Sequence, residues 1–378
     1  MRRLVIVTTV PLSLATLIKG QPKYLSKYFN IYLVTSDGDL VDNVRDSEGV
    51  ELITVNMSRE ITPLQDLKSL IELFMVFRRV KADIVYSLTP KAGLLSMVAS
   101  YFAGVEVRVH NVVGMPLMEA KGLKRIILEI TERLTYKFAT KILCNSYGLR
   151  DYIKRNIMNI DVEVLHNGSI NGVDIDRFKD NFSEARKGEI GERLGIDRGD
   201  FVILFIGRVV RDKGVDELID AFNILNGRFK KLKLILLGDF EEYLNPLKRE
   251  TIDTIKSCEK IIQVGFQSDI REYLAISSIL ILPSYREGLP NSLLEAGCFG
   301  LPLIASDING CNEVVIDGEN GLLVKPKSVD DIVDKISILI ENRGVYKKLK
   351  SNVRNSIIKR YNQSDFLKKL KDRLENLS

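Results

Sequence analysis

The sequence predicts an α/β protein with two doubly wound domains, each built on a parallel β-sheet. Its 378 residues exceed the length of one average domain. Short, continuously apolar runs alternate with helical patterns, as they do in βαβ units whose strands are buried on both faces. The alternation stops at a polar, turn-rich interval near residue 170 and then begins again. We therefore expect two similar domains, one after the other.

The first series of strands lies in residues 1–168, which form the predicted N-terminal domain. Its strands are expected at Leu4–Thr8, Ile31–Thr35, Ile84–Tyr86, Val107–Asn111, Lys141–Cys144 and Val162–Leu165. One helix is expected where apolar residues follow the i, i+3, i+4 spacing of a single buried face. These residues, which core packing explains, are Leu67, Leu70, Ile71, Phe74 and Met75.

The second series follows His166–Val173, where two Asn-Gly pairs favour turns. It defines a second domain at residues 169–357, and a last helix at 358–378 could return to the first domain. The strands are expected at Val202–Ile206, Lys233–Leu237, Ile261–Gln263, Ile279–Leu282, Pro302–Ala305 and Leu322–Val324. Ligands of open α/β sheets bind outside the carboxyl ends of the strands, so two sheets that face each other would enclose a central cleft.

The composition is that of a globular protein, with 45% hydrophobic and 28% charged residues. Four scattered cysteines and two histidines argue against a zinc site and a disulfide framework, which favours a reducing cytoplasm.

The segment Met1–Ile18 resembles a signal peptide in its charge and apolarity. Because Pro11 and four hydroxyl residues interrupt it, we expect a buried first strand instead. No stretch reaches the roughly 18 apolar residues of a membrane span.

The net charge of +5 comes from the first half of the chain, because residues 1–165 hold 22 Lys and Arg against 17 Asp and Glu. This excess suits an anionic partner such as lipid headgroups, although a solvated face is the commoner explanation. Nucleic-acid binding is disfavoured, since no basic patch is interleaved with aromatic residues.

Two segments that follow predicted strands carry candidate donor-binding chemistry. Gly207-Arg208 and Lys213-Gly214 place two cations and a helix start around a turn, which suits a diphosphate or, alternatively, makes a solvated turn. In the second segment, Glu287 ends a loop and Glu295 lies two turns into the helix that Pro290 opens. Two carboxylates so placed can accept hydrogen bonds from hydroxyl groups at the two ends of one ligand.

Together with Asp317-Gly318 and Gly321-Leu322-Leu323, these segments resemble the donor-binding domain of retaining glycosyltransferase family 4, which has the GT-B fold of two Rossmann-like domains. The N-terminal half is similar to a bacterial branch that builds capsule, O-antigen or exopolysaccharide units. That similarity rests on Val10-Pro11-Leu12-Ser13, Thr89-Pro90-Lys91-Ala92-Gly93-Leu94 and the segment Asn167–Asp174. The resemblance covers nearly the whole chain.

The resemblance implies roles for individual residues. Arg208 and Lys213 would hold the donor diphosphate, Glu287 would contact the transferred sugar, and Glu295 would bind the ribose hydroxyls. His110 would touch the donor sugar, although a structural histidine is an equal alternative. The remaining implied donor-binding residues are Gly207, Gly288, Leu289, Pro290 and Asn291, and the candidate acceptor-binding residues are Lys91 and Ser13.

No metal or cofactor is expected. The Asp-x-Asp pairs at Asp37 and Asp174 occur about as often as chance predicts, and Arg208 and Lys213 would supply the charge that Mg²⁺ otherwise provides. Retention of configuration is expected through a front-face displacement with the leaving phosphate as base.

The resulting hypothesis is a metal-independent hexosyl- or N-acetylhexosaminyl-transferase. It would move a sugar from a nucleotide diphosphate sugar, with UDP favoured, to a glycan acceptor, with one linked to a lipid diphosphate favoured. The alternatives are a phosphorylase, an epimerase, or a non-catalytic sugar-nucleotide-binding subunit of a membrane assembly. The helix Gly122–Lys137 combines cations with Ile126, Ile127, Ile130 and Leu134, which suits peripheral contact with the inner face of the plasma membrane. Inward packing of its apolar side chains, with a charged exterior, is the commoner arrangement for such a helix.

Overall fold

The structure, a computed structural model, describes residues 1–60, 62–241 and 245–377. It divides into two compact units, of which the first comprises residues 1–172 together with 363–378, and the second comprises residues 173–362. Each unit contains one parallel sheet flanked by helices, so the predicted class, α/β with two doubly wound parallel-sheet domains, is confirmed.

The first unit is built on seven parallel strands in the order β3-β2-β1-β4-β5-β6-β7. These strands are β1 (Arg3–Val7), β2 (Asn30–Thr35), β3 (Glu51–Thr54), β4 (Ile84–Leu88), β5 (Val107–Val112), β6 (Lys141–Cys144) and β7 (Val162–Val164). The edge strand β3 was not predicted, because a four-residue strand with two polar ends lacks a continuous apolar run. Along β1, Leu4 and Ile6 belong to the core on one face of the sheet, whereas Val5 and Val7 belong to the core on the other.

The helices of this unit cover both faces of the sheet. They are α1 (Pro11–Leu17), α2 (Gln21–Leu25), α3 (Val41–Glu48), α4 (Pro63–Val80), α5 (Pro90–Phe102), α6 (Gly122–Phe138) and α7 (Tyr147–Asn156). Right-handed crossovers place α4, α5 and α6 on one face, where α5 packs against both of its neighbours.

The second unit is built on six parallel strands in the order β10-β9-β8-β11-β12-β13. They are β8 (Phe201–Ile206), β9 (Leu232–Leu237), β10 (Ile261–Gly265), β11 (Ile279–Leu282), β12 (Leu303–Ser306) and β13 (Gly321–Val324). The helices are α8 (Glu184–Arg193), α9 (Val215–Arg228), α10 (Arg249–Ser257), α11 (Arg271–Ala275), α12 (Asn291–Phe299), α13 (Cys311–Val314), α14 (Val329–Glu341) and α15 (Arg343–Tyr361). The last helix, α16 (Gln363–Glu375), packs on α2 and therefore belongs to the first unit, where Phe366 and Leu370 enter its core.

The predicted buried face of α4 is wrong for three of its five residues, whereas Leu70 and Phe74 do pack, partly buried, against the core. Leu67, Ile71 and Met75 are each at least half exposed, and the helix instead buries a stripe formed by Ser69, Leu73, Val76 and Phe77. Both stripes have helical spacing, so periodicity alone could not distinguish the face that meets the sheet from the one that does not.

The expectation that α6 packs its apolar side chains inward is wrong for Ile126, Ile130 and Leu134, whereas Ile127 is partly buried. This helix buries Glu132, Thr135 and Tyr136, and it exposes Leu123, Ile126, Ile130 and Leu134. Its apolar face is thus turned away from the sheet. Within the described residues, no helix has both the length and the apolarity that crossing a bilayer requires.

Candidate functional site

Two loops that are distant in sequence meet at the carboxyl edge of the second sheet because β8 and β11 are neighbours there. The Nζ atom of Lys213, after β8, lies 2.5 Å from the Oε1 atom of Glu287, after β11. Both side chains are largely buried, at 18% and 11% exposure. The structure therefore brings together one cation and one carboxylate of the predicted site.

The loop after β8 is shaped by close backbone contact. A 3₁₀ turn at Arg211–Lys213 leads to Gly214, whose φ of +71° lies in the left-handed region. A Cβ atom at Gly214 would collide with the carbonyl oxygen of Pro283 in the loop after β11. Glycine at this position lets the two loops approach, which in turn brings Lys213 to Glu287.

Arg208, in the loop after β8, belongs to a small network of charges that also involves the loops after β9 and β11. Its Nη1 atom lies 2.6 Å from the Oε2 atom of Glu241, and its Nη2 atom lies 3.9 Å from the Oδ2 atom of Asp212. Asp212 also pairs with Arg286 at 2.6 Å. Because the side chain of Arg208 is 40% exposed, it remains accessible to an anionic ligand.

Glu287, in the loop after β11, is held in place by contacts from three loops. Besides Lys213, the Ser284 hydroxyl donates to the Oε1 atom of Glu287 over 2.7 Å, and the Nδ2 atom of Asn309 donates to its carbonyl oxygen over 2.9 Å. The loop after β11 continues through Gly288, Leu289 and Pro290, all buried, into α12. Asn291 begins that helix, and Glu295 follows in its second turn, partly buried.

The two helices that start at this edge differ in electrostatics. The first turn of α9 carries Asp216 and Glu217, whose negative charges offset the positive end of the helix dipole. The first turn of α12 carries no acidic residue. The positive end of the helix dipole is therefore less offset at the start of α12 than at the start of α9.

Sequence reasoning missed Ser284, Asp212 and Asn309. Asn309 follows β12, the neighbour of β11 in the sheet, so inspecting the residues after every strand would have found it. Ser284 belongs to the segment Pro283-Ser284-x-x-Glu287-Gly288, which contributes to the family resemblance, but the resemblance gave this serine no role. Asp212 lies between the two predicted cations, where a carboxylate that orients them is a natural expectation.

Three predicted site residues, His110, Lys91 and Ser13, lie in the first unit. His110, on β5, is 1% exposed, and its Nδ1 atom lies 2.9 Å from the Ser87 hydroxyl on the adjacent strand β4. Burial lowers the pKa of His110 to about 4, so the imidazole is neutral at pH 7. Gly93 of α5 faces this ring so closely that a Cβ atom there would lie 2.7 Å from Nδ1.

Lys91, in the first turn of α5, pairs with Asp66 of α4 at 2.6 Å and also donates to the carbonyl oxygen of Glu60. Nearby, the Thr9 and Thr89 hydroxyls are joined by a 2.8 Å hydrogen bond. Thr89 has a φ of +72°, an uncommon conformation for a β-branched residue. Ser13 is buried in α1.

The two edges offer different chemistry. The second sheet offers cations and a helix start that suit phosphates, beside carboxylates that suit hydroxyl groups. The first offers hydroxyls, a neutral imidazole and one ion pair. Among the residues that the structure describes, no group of three His, Cys, Asp or Glu side chains could hold a metal ion.

Proteins with similar sequences include glycosyltransferases, one of them named for capsular polysaccharide biosynthesis. The chain is 29% identical over 344 residues to the capsular polysaccharide biosynthesis glycosyltransferase CapM of Staphylococcus aureus, covering 90% of this chain and 88% of that protein. It is 28% identical over 353 residues to the UDP-Gal:alpha-D-GlcNAc-diphosphoundecaprenol alpha-1,3-galactosyltransferase of Escherichia coli, covering 92% and 89%. The crystal structure of Anabaena HepE in complex with UDP and glucose matches the fold with a TM-score of 0.84 at 19% identity, over all of both chains.

Two family models together match most of the chain. The model of the glycosyl transferases group 1 matches residues 187–356, which include Arg208, Lys213, Glu287 and Glu295. The model of the glycosyl transferase 4-like domain matches residues 30–168, which include Lys91 and His110. The chain therefore belongs to the group 1 glycosyl transferases and carries a glycosyl transferase 4-like domain in its N-terminal half.

Proposed function

We propose that the chain is a retaining glycosyltransferase that moves a hexosyl or N-acetylhexosaminyl group from a UDP-sugar to a lipid-diphosphate-linked glycan in bacterial surface polysaccharide synthesis. The observation that carries this proposal is the Lys213–Glu287 pair, held at the carboxyl edge of β8 and β11 beside the start of α12. A cation, a carboxylate and a helix start in one place match a ligand that joins a diphosphate to hydroxyl-rich groups.

Arg208 and Lys213 would neutralise the diphosphate as it leaves. In the step, the bond between the anomeric carbon and the phosphate oxygen breaks, and the acceptor hydroxyl oxygen bonds to that carbon on the same face. The hydroxyl proton passes to the departing phosphate. Charge grows on the diphosphate as the bond breaks, so fixed cations lower the barrier more than they strengthen donor binding.

Glu287 and Glu295 would bind the two hydroxyl-bearing ends of the donor. Because Lys213 and Ser284 already direct the Oε1 atom of Glu287, its second oxygen would be turned toward a sugar hydroxyl. Gly207, Gly288, Leu289, Pro290 and Asn291 would form the backbone around the phosphates.

The acceptor assignment draws support from the relatives. The name of the Escherichia coli relative specifies a diphosphoundecaprenol-linked acceptor and a UDP-activated galactose. An acceptor of this kind would place the reaction at the inner face of the plasma membrane. In this proposal Lys91, Ser13 and His110 contribute to the acceptor side or to the transferred sugar.

A thermal-shift panel of UDP-, GDP- and ADP-sugars tests the donor. A ligand that binds only the folded state raises its stability by RT ln(1 + [L]/Kd), about 2.7 kcal/mol at 100 times Kd. We expect UDP-sugars to raise the melting temperature, and Lys213→Ala to remove most of that rise. Equal shifts for all three nucleotides would contradict the UDP assignment, and no shift with any of them would contradict donor binding.

A transfer assay tests the reaction itself. With a UDP-sugar and a short-chain lipid diphosphate acceptor, we expect a glycosylated product with the anomeric configuration of the donor, which NMR of the product reports. Activity that persists in a chelator would support a metal-independent reaction. Turnover that needs inorganic phosphate or no acceptor would replace the proposal with a phosphorylase or an epimerase.

A further inference from the structure

The outer surface of the first unit carries an apolar face made by α4, α5 and α6, which lie side by side on one face of the sheet. We call it the three-helix face. Its most unusual part is α6, which exposes Leu123, Ile126, Ile130 and Leu134, each between 40% and 71% exposed. They recur at helical spacing along one side of the helix.

The most deeply buried side chains of α6 all carry polar groups, although Leu128 and Phe138 also pack, partly buried, against the core. The helix buries Glu132, Thr135 and Tyr136. Burial raises the pKa of Glu132 to about 7, which shows that the fold opposes the charged form of this carboxyl. A surface helix in water has the opposite arrangement, with its apolar stripe facing the core. The sidedness of α6 therefore suits a helix whose outer face meets an apolar medium.

The neighbouring helices extend the same face. On α4, four residues, Leu64, Leu67, Ile71 and Met75, are between 50% and 89% exposed. They lie at i, i+3, i+7 and i+11, the same spacing as the stripe on α6, so each stripe is about 17 Å long. The end of α5 adds Tyr101 and Phe102, both at least half exposed. Isolated exposed apolar residues are ordinary, but two stripes on the helices that flank α5, with two exposed aromatic residues at the end of α5, mark an interaction surface.

The exposed charged side chains of α4 and α6 have one sign. Every residue of α4 and α6 is described in the structure, and all the exposed charged side chains on these helices are cations. They are Lys68, Arg78, Arg79, Lys124, Arg125, Arg133 and Lys137. The acidic residues of the same helices, Asp66, Glu72, Glu129 and Glu132, are at least partly buried. An occupant of this face must therefore be both apolar and anionic.

We propose that the three-helix face binds to the surface of an anionic lipid bilayer, with the apolar stripes of α4 and α6 entering the boundary between headgroups and acyl chains. A bilayer supplies an apolar layer beneath a negative surface, which is the complement of apolar stripes flanked by Lys and Arg.

The orientation agrees with the proposed acceptor, and this step rests on the proposed function. In βαβ units the helices begin at the carboxyl edge of the sheet, so both apolar stripes start at the edge where Lys91 pairs with Asp66 of α4. A lipid diphosphate emerging from the bilayer at this edge would lie close to Lys91. Binding itself requires no turnover.

Vesicle co-sedimentation tests the proposal with vesicles of phosphatidylglycerol and phosphatidylethanolamine and, for comparison, vesicles of phosphatidylcholine. We expect the wild-type chain to bind the anionic vesicles at least tenfold more tightly than the neutral ones, and binding to weaken with added salt. The double variant Ile126→Glu/Ile130→Glu should weaken binding roughly tenfold or more, because it replaces exposed apolar groups with anions. Lys124→Glu/Arg125→Glu should weaken it to a similar degree.

Matched variants in the second unit serve as controls. Ile224 on α9 and Ile338 on α14 are exposed to about the degree of Leu134, and Lys347 and Lys348 on α15 are adjacent exposed cations. We expect Ile224→Glu/Ile338→Glu and Lys347→Glu/Lys348→Glu to bind vesicles like the wild type. All the substituted residues are exposed, so circular dichroism and the melting temperature should remain unchanged.

Three outcomes would overturn the proposal. The wild-type chain could fail to bind anionic vesicles, or the control variants could lose as much binding as the α6 variants. In the third outcome, the α6 variants abolish self-association of the chain but still bind vesicles. The test is independent of catalysis. A chain that binds vesicles but transfers no sugar to a soluble short-chain acceptor would refute the proposed function and support bilayer binding by the three-helix face. A chain that transfers sugar but does not bind vesicles would support the proposed function and refute bilayer binding.

Discussion

The carboxyl edge of the second sheet is lined by paired charges, whereas that of the first sheet is lined mainly by uncharged groups joined by hydrogen bonds. At the second edge, Lys213 pairs with Glu287 and Arg208 with Glu241. At the first edge, His110 contacts Ser87 and Thr9 contacts Thr89. Both sheets are parallel and doubly wound, so the topology does not account for the difference.

The comparison separates the chemistry that each unit can support. Paired ions at the second edge can exchange partners with a phosphate at little cost, because the cations are already fixed and partly desolvated. Buried neutral groups at the first edge cannot stabilise a large charge, but they match hydroxyl groups. The contrast predicts that substitutions that remove a charge from the second edge lower the reaction rate. It also predicts that substitutions that crowd the first edge lower the stability of the fold.

Removal of a cation from the second edge should have the largest effect. We expect Arg208→Ala and Lys213→Ala each to lower kcat on the order of 100-fold or more, which is the cost of losing one group that stabilises transition-state charge. Steady-state kinetics with saturating donor measure this. Arg249→Ala, at an exposed cation that starts α10, is the matched control and should leave kcat unchanged.

Lys213→Ala also leaves Glu287 without its cation, so a fall in kcat could reflect local unfolding. Arg208 avoids this ambiguity, because its side chain is 40% exposed. If Arg208→Ala retained full kcat while its melting temperature matched that of the wild type, the charged edge would have no role in catalysis.

Crowding at the first edge should produce the next largest effect. Gly93→Ala would force a methyl group against the His110 ring, 2.7 Å from Nδ1, and we expect it to lower the free energy of unfolding by about 1–3 kcal/mol. Urea denaturation measures the change. Gly188→Ala is the matched control, because Gly188 lies on an exposed face of α8 with open space around it. There we expect a gain of about 0.5–1 kcal/mol.

A second substitution shows whether the imidazole is the cause. His110→Ala opens space beside residue 93, so the double variant should be more stable than the sum of the single changes implies. Additive changes would mean that the strain at Gly93 arises elsewhere.

The strands could be predicted from sequence because both sheets are parallel and covered on both faces. Burial on two sides demands continuous apolar runs such as Phe201–Ile206, and a short run of this kind between turn residues is typical of a buried strand. The strand β3 lacked such a run. The face of α4 could not be predicted, because two apolar stripes share one helix and only the tertiary structure determines which is buried.

Some residues of the candidate site could be predicted from the sequence, but the contacts between them could not. Glycine, cations and carboxylates after β8 and β11 could be identified by position. That Lys213 touches Glu287 depends on the adjacency of β8 and β11, and two further strands, β9 and β10, separate them in the chain. The burial of His110 against Gly93 likewise follows from the packing of α5 on the sheet.

The pH dependence of stability should show that the interior of the first unit disfavours charged side chains. The pKa of Glu132 is raised to about 7 and that of His110 is lowered to about 4, in both cases by burial. The raised pKa of Glu132 means that stability falls as pH rises from about 4.5 to 7. The lowered pKa of His110 means that stability falls as pH drops from about 6.5 to 4. The two effects oppose each other between these limits.

In the Glu132→Gln variant, the pH dependence of stability that His110 causes should no longer be offset by Glu132. We expect the free energy of unfolding of this variant to rise with pH between about 4.5 and 6.5, by at most about 1.4 kcal/mol per pH unit relative to the wild type. Urea titrations at pH 5, 6 and 7 measure it. His110→Gln should give the opposite slope, and a wild-type slope in either variant would contradict the burial of that group.

The smallest effect is expected at Lys91, the cation of the first edge. Its side chain is 14% exposed and pairs with Asp66, so it could act on the acceptor or only join α4 to α5. We expect Lys91→Ala to raise the KM for a lipid diphosphate acceptor about fivefold with little change in kcat, because it removes one partly screened charge contact, on the order of 1 kcal/mol. Asp66→Asn is the matched control. It breaks the same ion pair but keeps the cation, so it should lower stability by about as much as Lys91→Ala without raising KM. Equal KM values in the two variants would assign the pair to the packing of the helices alone, and the edge of the first sheet would then act on its ligand through uncharged groups only.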